Sequence, residues 1–151
     1  MLGFLKSPYF RNVDLEIEST SPLDALAREL GSRVSVLFSQ RVKKRYCLFL
    51  EIPGNDRGQD ATINSLCALI EGLSPAGKRL WDGARRRDFD IGYEARLGSV
   101  RANHFTIRPR TLRRVAKLGA SLAVTLYRQM DEEPAGAGTG NLPAGRKTPK
   151  R

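Results

Sequence analysis

The same order of patterns occurs twice, near the start of the chain and near its end. Residues 13–18, VDLEIE, alternate apolar and acidic side chains as a half-buried strand does, and Pro22 then precedes an amphipathic helix that closes at Gly31. Near the end, a strand pattern reaches Pro109, a helix pattern closes at Gly119, and another strand pattern follows. Two strand–helix–strand units predict a sheet covered by helices, which places the chain in the α+β class.

A strand hairpin is predicted after the first unit. Residues 33–40 place Val34, Val36 and Phe38 on one side of a second strand. A basic turn then leads to YCLFLEI, residues 46–52, which predicts a third strand. Because only a short turn separates the two strands, we expect them to pair antiparallel.

Two helices and two more strands are predicted in the middle of the chain. Apolar side chains recur at helical spacing over residues 63–70 and 76–84, and the second segment places Trp81 on its inner side. Residues 89–95, FDIGYEA, predict a fourth strand, and residues 104–109, HFTIRP, predict a fifth. The predicted fold is therefore a ferredoxin-like or duplicated strand–helix–strand two-layer sandwich, with five or six strands and the helices on one face.

Length and composition predict one domain with two flanking segments. A chain of 151 residues with 40% hydrophobic residues suffices for one core and is too short for two ordinary domains. We expect a lead-in over residues 1–11, the domain over residues 12–130, and a disordered Gly/Pro-rich basic tail over residues 131–151. The sequence has neither a signal-peptide pattern nor an apolar run near the ~20 residues of a membrane span, which predicts a cytoplasmic protein without membrane association.

The charge balance raises the question of an anionic partner. The chain has 26 Lys and Arg against 16 Asp and Glu, a formal net charge of +10. The candidate nucleic-acid edge consists of Lys43, Lys44, Arg45, Arg85, Arg86, Arg87, Arg110, Arg113 and Arg114. The third strand, RYCLFLEI, does not match the aromatic pattern of RNA-recognition domains, so weak, salt-sensitive binding of nucleic acid is the alternative and not the favoured function.

Few residues offer catalytic or metal-binding chemistry. His104 is the only histidine, and Cys47 and Cys67 lie in apolar runs without metal-ligand spacing, which predicts core thiols, no metal and no cofactor. A small enzyme that uses His104 with a carboxylate such as Asp90 or Glu16 is a second alternative.

The most organised polar feature is the predicted solvent-facing side of the sheet. Acidic residues of the first and fourth strands alternate onto it, together with polar residues of the expected fifth strand. The candidate partner-binding residues are Glu16, Glu18, Asp90, Glu94, His104 and Arg108. Cross-strand ion pairs also account for such a pattern, at ~0.2 to 1 kcal/mol each. We expect a non-enzymatic protein-binding module that docks an unidentified protein or a second copy of the chain.

Two segments of the chain resemble a known family. LWDGARRRDFDIGYEARL and RPRTLRRVAKLGASLAVTLY are similar to a family of small bacterial domains of unknown function, some of which neighbour immunity-type proteins. The similarity covers roughly residues 12–129, and its features include Leu80 and Trp81 before the fourth strand and Tyr127 in the last one. The resemblance implies one compact α+β domain and carries over no functional residue. An immunity-type or regulatory role is one form that such a binding module takes.

Overall fold

The structure is a computed structural model, which describes residues 10–54, 57–95 and 104–128. The predicted tail, residues 131–151, and most of the lead-in lie outside these residues. In chain order the elements are β1 (Phe10–Ser19), α1 (Asp24–Leu30), β2 (Ser35–Val42), β3 (Arg45–Glu51), α2 (Gln59–Glu71), α3 (Pro75–Gly83), β4 (Arg86–Ala95), α4 (Pro109–Lys117) and β5 (Ser121–Arg128). A 3₁₀ turn, Gly31–Arg33, follows α1.

The strands form one mixed sheet in the order β2-β3-β1-β4-β5. β3 pairs antiparallel with β2 and with β1, β1 pairs antiparallel with β4, and β5 lies parallel to β4. The first four strands follow the β-α-β-β-α-β connectivity of ferredoxin-like domains, with α2 and α3 in the place of its second helix. The predicted α+β sandwich is confirmed, and α4 with β5 extends the sheet at one edge.

The alternation in β1 separates the two faces of the sheet. Val13, Leu15 and Ile17 are almost completely buried, whereas the acidic residues between them point to the other side. The buried face packs against side chains of all four helices, including Leu26, Leu30, Ile63, Leu66, Ile70, Trp81 and Val115. None of the helices in the described residues covers the opposite side, which we call the open face.

Trp81 joins α3 to the end of α4. Its side chain is fully buried, and the indole N–H donates a hydrogen bond of 2.9 Å to the carbonyl oxygen of Leu118. The guanidinium of Arg87 lies 5.8 Å from the centre of the indole ring. The predicted inward orientation of Trp81 is confirmed, and the residue closes the core beneath the parallel part of the sheet.

The prediction of a fifth strand at HFTIRP is wrong. Residues 104–108 form no strand; instead the Phe105 ring stacks on Tyr93 with centroids 4.3 Å apart, and Ile107 packs against the core. The position beside β4 is taken by β5, and a connection between two parallel neighbouring strands has to leave the sheet. The apolar alternation of Phe105 and Ile107 therefore reflects packing on the helix side of the sheet.

In β2, the predicted side of the sheet is wrong for one residue, Phe38. Val36 lies opposite Leu50 and Phe38 lies opposite Phe49, and these two neighbours on β3 point to opposite faces. Leu37 is thus the extra residue of a β-bulge, which reverses the alternation from Phe38 onwards. Phe38 lies on the open face and not on the side of Val36.

Candidate functional site

The open face concentrates acidic side chains in a chain of net charge +10. Residues that lie opposite each other on paired strands share a face, which assigns the acidic positions of β1, β3 and β4 to this side. They are Asp14, Glu16, Glu18, Glu51, Asp88, Asp90 and Glu94, seven of the 16 Asp and Glu residues in the chain. The open face is therefore rich in acidic side chains.

Arginine side chains bind three of these seven carboxylates. The guanidinium of Arg86 donates hydrogen bonds to Glu16, to Glu18 at 2.9 Å and to Asp88 at 2.6 Å, and Arg45 donates to Glu18 at 3.1 Å. The hydrogen bonds from Arg86 hold the pKa of Glu18 below its ordinary value. We call these five residues the paired half of the open face; here the expected cross-strand ion pairs are confirmed.

Asp14, Glu51 and Asp90 form no ion pair in the described residues, and we call these three residues the unpaired half of the open face. Asp14 lies directly opposite Asp90 across β1 and β4. Asp90 is 7% exposed; Thr125 donates a hydrogen bond of 2.7 Å to its Oδ2, but in the described part of the chain no donor reaches its Oδ1. Burial, with the charges of Glu51, Asp90 and Glu16, raises the pKa of Asp14 to about 6, against the lowering effect of Arg11.

A hollow of about 180 Å³ lies at this unpaired half, and we call it the Asp14 hollow. Its lining draws on all five strands and consists of Arg11, Asn12, Asp14, Leu37, Glu51, Gly92 and Tyr127. The side-chain amide of Asn12 donates a hydrogen bond to Glu51. The hollow thus combines carboxylate acceptors with an aromatic ring.

Two β-bulges build the rim of the Asp14 hollow. Arg11 lies at the register shift between β1 and β4, and Leu37 lies at the shift between β2 and β3. The Arg11 guanidinium stands 4.7 Å from the centre of the Tyr127 ring. A Cβ atom on Gly92 would lie 3.1 Å from this ring, so the absence of a side chain there lets Tyr127 lie close to β4. Bulges of this kind redirect side chains beside functional sites.

Aromatic and sulfur-containing side chains flank the acidic residues on β2 and β3. The rings of Phe38 and Phe49 lie 5.4 Å apart, and Phe49 is opposite Glu16. Cys47 is opposite Glu18, so its buried thiol lies on the open face, which corrects the expectation of a core thiol. Cys67 is fully buried in the core, where burial raises its pKa to about 11, and both thiols are free.

The structure brings together four of the six predicted partner-binding residues. Glu16 and Glu18 lie in the paired half, and Asp90 and Glu94 lie on β4 of the same face. The remaining two, His104 and Arg108, belong to the segment that crosses the helix side. The backbone N–H of Arg108 donates to Asp60 at the start of α2, and His104 is exposed. The expected pairing of His104 with Asp90 or Glu16 is therefore not formed.

The residues that line the Asp14 hollow were not predicted from the sequence as a binding site. Asp14 itself is visible in the alternation of the first strand, and Tyr127 is visible in the last. Leu37 and Arg11 reach the hollow only because bulges shift the register, and a period-two pattern does not reveal a bulge.

The basic residues of the predicted nucleic-acid edge lie at several separate places in the structure. Arg45 and Arg86 bind carboxylates of the open face, and Arg114 binds Glu71 with two hydrogen bonds of 2.9 and 2.8 Å. Arg87 donates to the carbonyl oxygen of Trp81 at 3.4 Å, and the backbone N–H of Arg85 donates to the carbonyl oxygen of Glu18. The remaining members, Lys43 and Lys44 in the hairpin turn and Arg110 and Arg113 in α4, lie on separate elements. They do not form one continuous edge.

Comparisons with protein-family models, with curated proteins and with solved structures found no match to this chain. The resemblance to small bacterial domains stays a prediction. In the described residues, no helix is long and apolar enough to cross a membrane, and no group of three or more His, Cys, Asp and Glu residues is arranged to hold a metal ion. The class that the structure defines is a ferredoxin-like α+β domain with an extra parallel edge strand and an acidic open face.

Proposed function

We propose that this protein is a non-enzymatic binding module whose open face docks a partner protein with a basic surface. The observation that carries the proposal is that Asp14 and Asp90 face each other, without an ion pair in the described residues, on a sheet face that the described helices leave uncovered. Buried like charges destabilise a fold, and such groups concentrate at functional sites. A basic partner would remove this repulsion.

The character of the open face favours a protein over a nucleic acid or a second copy of the chain. The carboxylates repel the phosphate backbone of a nucleic acid, and two acidic faces of identical chains repel each other. The Phe38–Phe49 pair and Tyr127 add aromatic surface, which is enriched at protein interfaces. The expected immunity-type or regulatory role and the expected cytoplasmic location belong to this proposal, and the sequence resemblance itself carries over no function.

Affinity purification with charge-neutralised variants tests the proposed function. The tagged full chain is purified from its native cells at low and high salt, with and without nuclease. The double variant Asp14→Asn/Glu51→Gln changes the open face, and Asp24→Asn/Asp82→Asn removes the same charge from the helix layer as a matched control. Any retained protein is then purified, and its affinity for the three chains is measured by calorimetry.

We expect one protein partner that binds the wild type and the control but binds the open-face variant at least about tenfold more weakly, because charged hydrogen bonds are lost. The binding should resist nuclease and weaken as salt rises. Equal affinity of the partner for all three chains would exclude the open face as the docking surface.

Binding of nucleic acid through α4 is the second candidate function. Arg110, Arg113 and Lys117 are exposed along this helix, which contains no acidic residue. If α4 binds nucleic acid, the purification recovers RNA or DNA that disappears at high salt, and Arg113→Glu reduces the recovery. The two candidates are separable because neutralising Asp14 and Glu51 should strengthen contact with nucleic acid, whereas it weakens contact with a basic protein.

A further inference from the structure

The Asp14 hollow differs from the paired half in the position of its cation: Arg11 lines the hollow but stands over the Tyr127 ring and forms no ion pair with the carboxylates in the described residues. Arg86 and Arg45 bind the carboxylates of the paired half. In the described residues, no Lys or Arg side chain forms an ion pair with Asp14, Glu51 or Asp90. The same sheet face therefore contains arginine-bound carboxylates at one end and carboxylates without such a ligand at the other.

A buried carboxylate oxygen beside the hollow has no donor. Asp90 is more than nine-tenths buried, it faces Asp14 across the strands, and its Oδ1 accepts no hydrogen bond in the described part of the chain. Most buried polar atoms in proteins have a partner. The hollow that Asp14 and Tyr127 line therefore lies beside a pair of facing carboxyl groups, Asp14 and Asp90.

The Tyr127 ring already contacts a guanidinium group. Arg11 stands over it at 4.7 Å, which shows that planar cationic groups fit against this ring. Two carboxylates beside an aromatic ring suit an arginine side chain better than a lysine, because guanidinium is planar and donates two parallel hydrogen bonds to carboxylates.

We propose that the Asp14 hollow is the binding site for one arginine side chain of the basic partner, with Asp14 and Glu51 as acceptors beside the Tyr127 ring. This inference rests on the proposed docking function and adds the chemical group that is recognised. In the complex, the guanidinium supplies the positive charge that Arg86 supplies to the paired half.

Binding at this site is coupled to the release of a proton. The groups that face Asp14 are Arg11 and Glu16 on its own strand, Glu51 on β3, Asp90 on β4 and Tyr127 on β5. With the pKa of Asp14 at about 6, this carboxyl is mostly neutral in mild acid and mostly ionised above neutrality. The affinity for arginine should therefore rise about tenfold between about pH 5 and about pH 7.5.

The test uses two small probes and the full chain. Blocked arginine amide and the neutral isostere blocked citrulline amide are titrated into the protein, and amide and side-chain chemical shifts are followed by NMR. We expect the arginine probe alone to shift the signals of Gly92, Tyr127 and the Asn12 side-chain amide, with the stated pH dependence. Equal shifts with citrulline, or shifts scattered over the whole surface, would overturn the proposal.

Two single variants locate the site. Asp14→Asn should weaken binding of the arginine probe at least about tenfold at about pH 7.5 and should remove its pH dependence. Asp24→Asn removes the same charge from the helix layer and should leave the affinity within about twofold, since Asp24 is exposed in α1 and lies outside the open face. Equal losses in the two variants would show that only the general negative charge of the protein attracts arginine, and this would contradict a defined site.

The outcome separates this inference from the proposed function. If the purified partner requires the open face but binds Asp14→Asn as tightly as the wild type, docking is supported and the arginine site is excluded. If the arginine probe binds as expected while no protein requires the open face, the site is supported as an arginine site and protein docking fails.

Discussion

Burial and neighbouring carboxylates raise the pKa of Asp14 from its model-compound value of 3.8 to about 6. Folding therefore favours the protonated form of this carboxyl. Its contribution to stability is fully present below the pKa of the unfolded chain and is lost as the pH rises through about 6. At neutral pH the ionised Asp14 destabilises the free protein, and a bound cation would reverse that effect.

Asp14→Asn should stabilise the free protein at about pH 7.5 by about 1 kcal/mol, after a discount for solvent screening of a half-exposed group. Asparagine has the same shape as the protonated aspartic acid and carries no charge. Thermal unfolding should show a Tm increase of roughly 2 to 4 °C at this pH and little change at about pH 3.5, where Asp14 is mostly protonated in both states. A gain that is equal at both pH values would contradict the proposed electrostatic cause.

Trp81→Ala should destabilise the fold by ~3 to 5 kcal/mol, because it leaves a cavity in the core. This is a large part of the stability of an ordinary domain. Trp81→Phe is the milder comparison: it keeps an aromatic ring but removes the donor to the Leu118 carbonyl, with an expected loss of about 1 to 3 kcal/mol. Urea unfolding measures both variants, and a loss below ~1 kcal/mol for Trp81→Ala would contradict its place in the core.

At the scale of elements, β1 and β4 are held together by charge as well as by the backbone ladder. Arg86 on β4 joins two carboxylates of β1 to one of its own strand. Arg86→Gln leaves these carboxylates unpaired, and we expect a loss of about 1 to 3 kcal/mol at neutral pH. The loss should shrink in acid as the carboxylates become protonated, because the ordinary pKa of glutamate is near 4.

Arg113→Gln on α4 is the matched control for this prediction, since Arg113 is exposed on the helix layer. Its urea unfolding curve should overlay that of the wild type within ~0.5 kcal/mol. Equal losses in Arg86→Gln and Arg113→Gln would show that the loss of positive charge in general, and not the ion-pair network, determines the stability.

The sequence predicted correctly the strands in which apolar and polar side chains alternate between the two faces of the sheet. Val13, Leu15 and Ile17 mark β1 because each buried position alternates with an acidic one. The same signal failed at Phe105 and Ile107, because a connection that packs on the core also alternates apolar and polar residues. A bulge at Leu37 reverses an alternation without any change in composition, so the side on which Phe38 lies was not predictable.

At the scale of the whole molecule, charge of opposite sign is separated between the two layers. The chain has a net charge of +10, yet acidic residues outnumber basic ones on its open face; apart from Arg11, Arg45 and Arg86, which lie on this face, most basic residues belong to the helix layer, the hairpin turn and the flanking segments. The acidic residues of three strands come together on this face because those strands are neighbours in the sheet. A local sequence pattern does not reveal which strands are neighbours. The sequence therefore predicted a polar face but not the separation of its paired and unpaired halves, because Arg86 was expected at a basic edge.

Photo-crosslinking in native cells tests most directly whether the open face contacts a protein. A benzophenone amino acid replaces Phe49 on the open face or, in the comparison chain, Leu112 on the exposed side of α4. We expect that the probe at Phe49 crosslinks one protein, that Asp14→Asn/Glu51→Gln abolishes this product, and that the probe at Leu112 does not form it. Crosslinking of the same protein from Leu112 alone, or of nucleic acid from Phe49, would exclude the open face as the protein-docking surface.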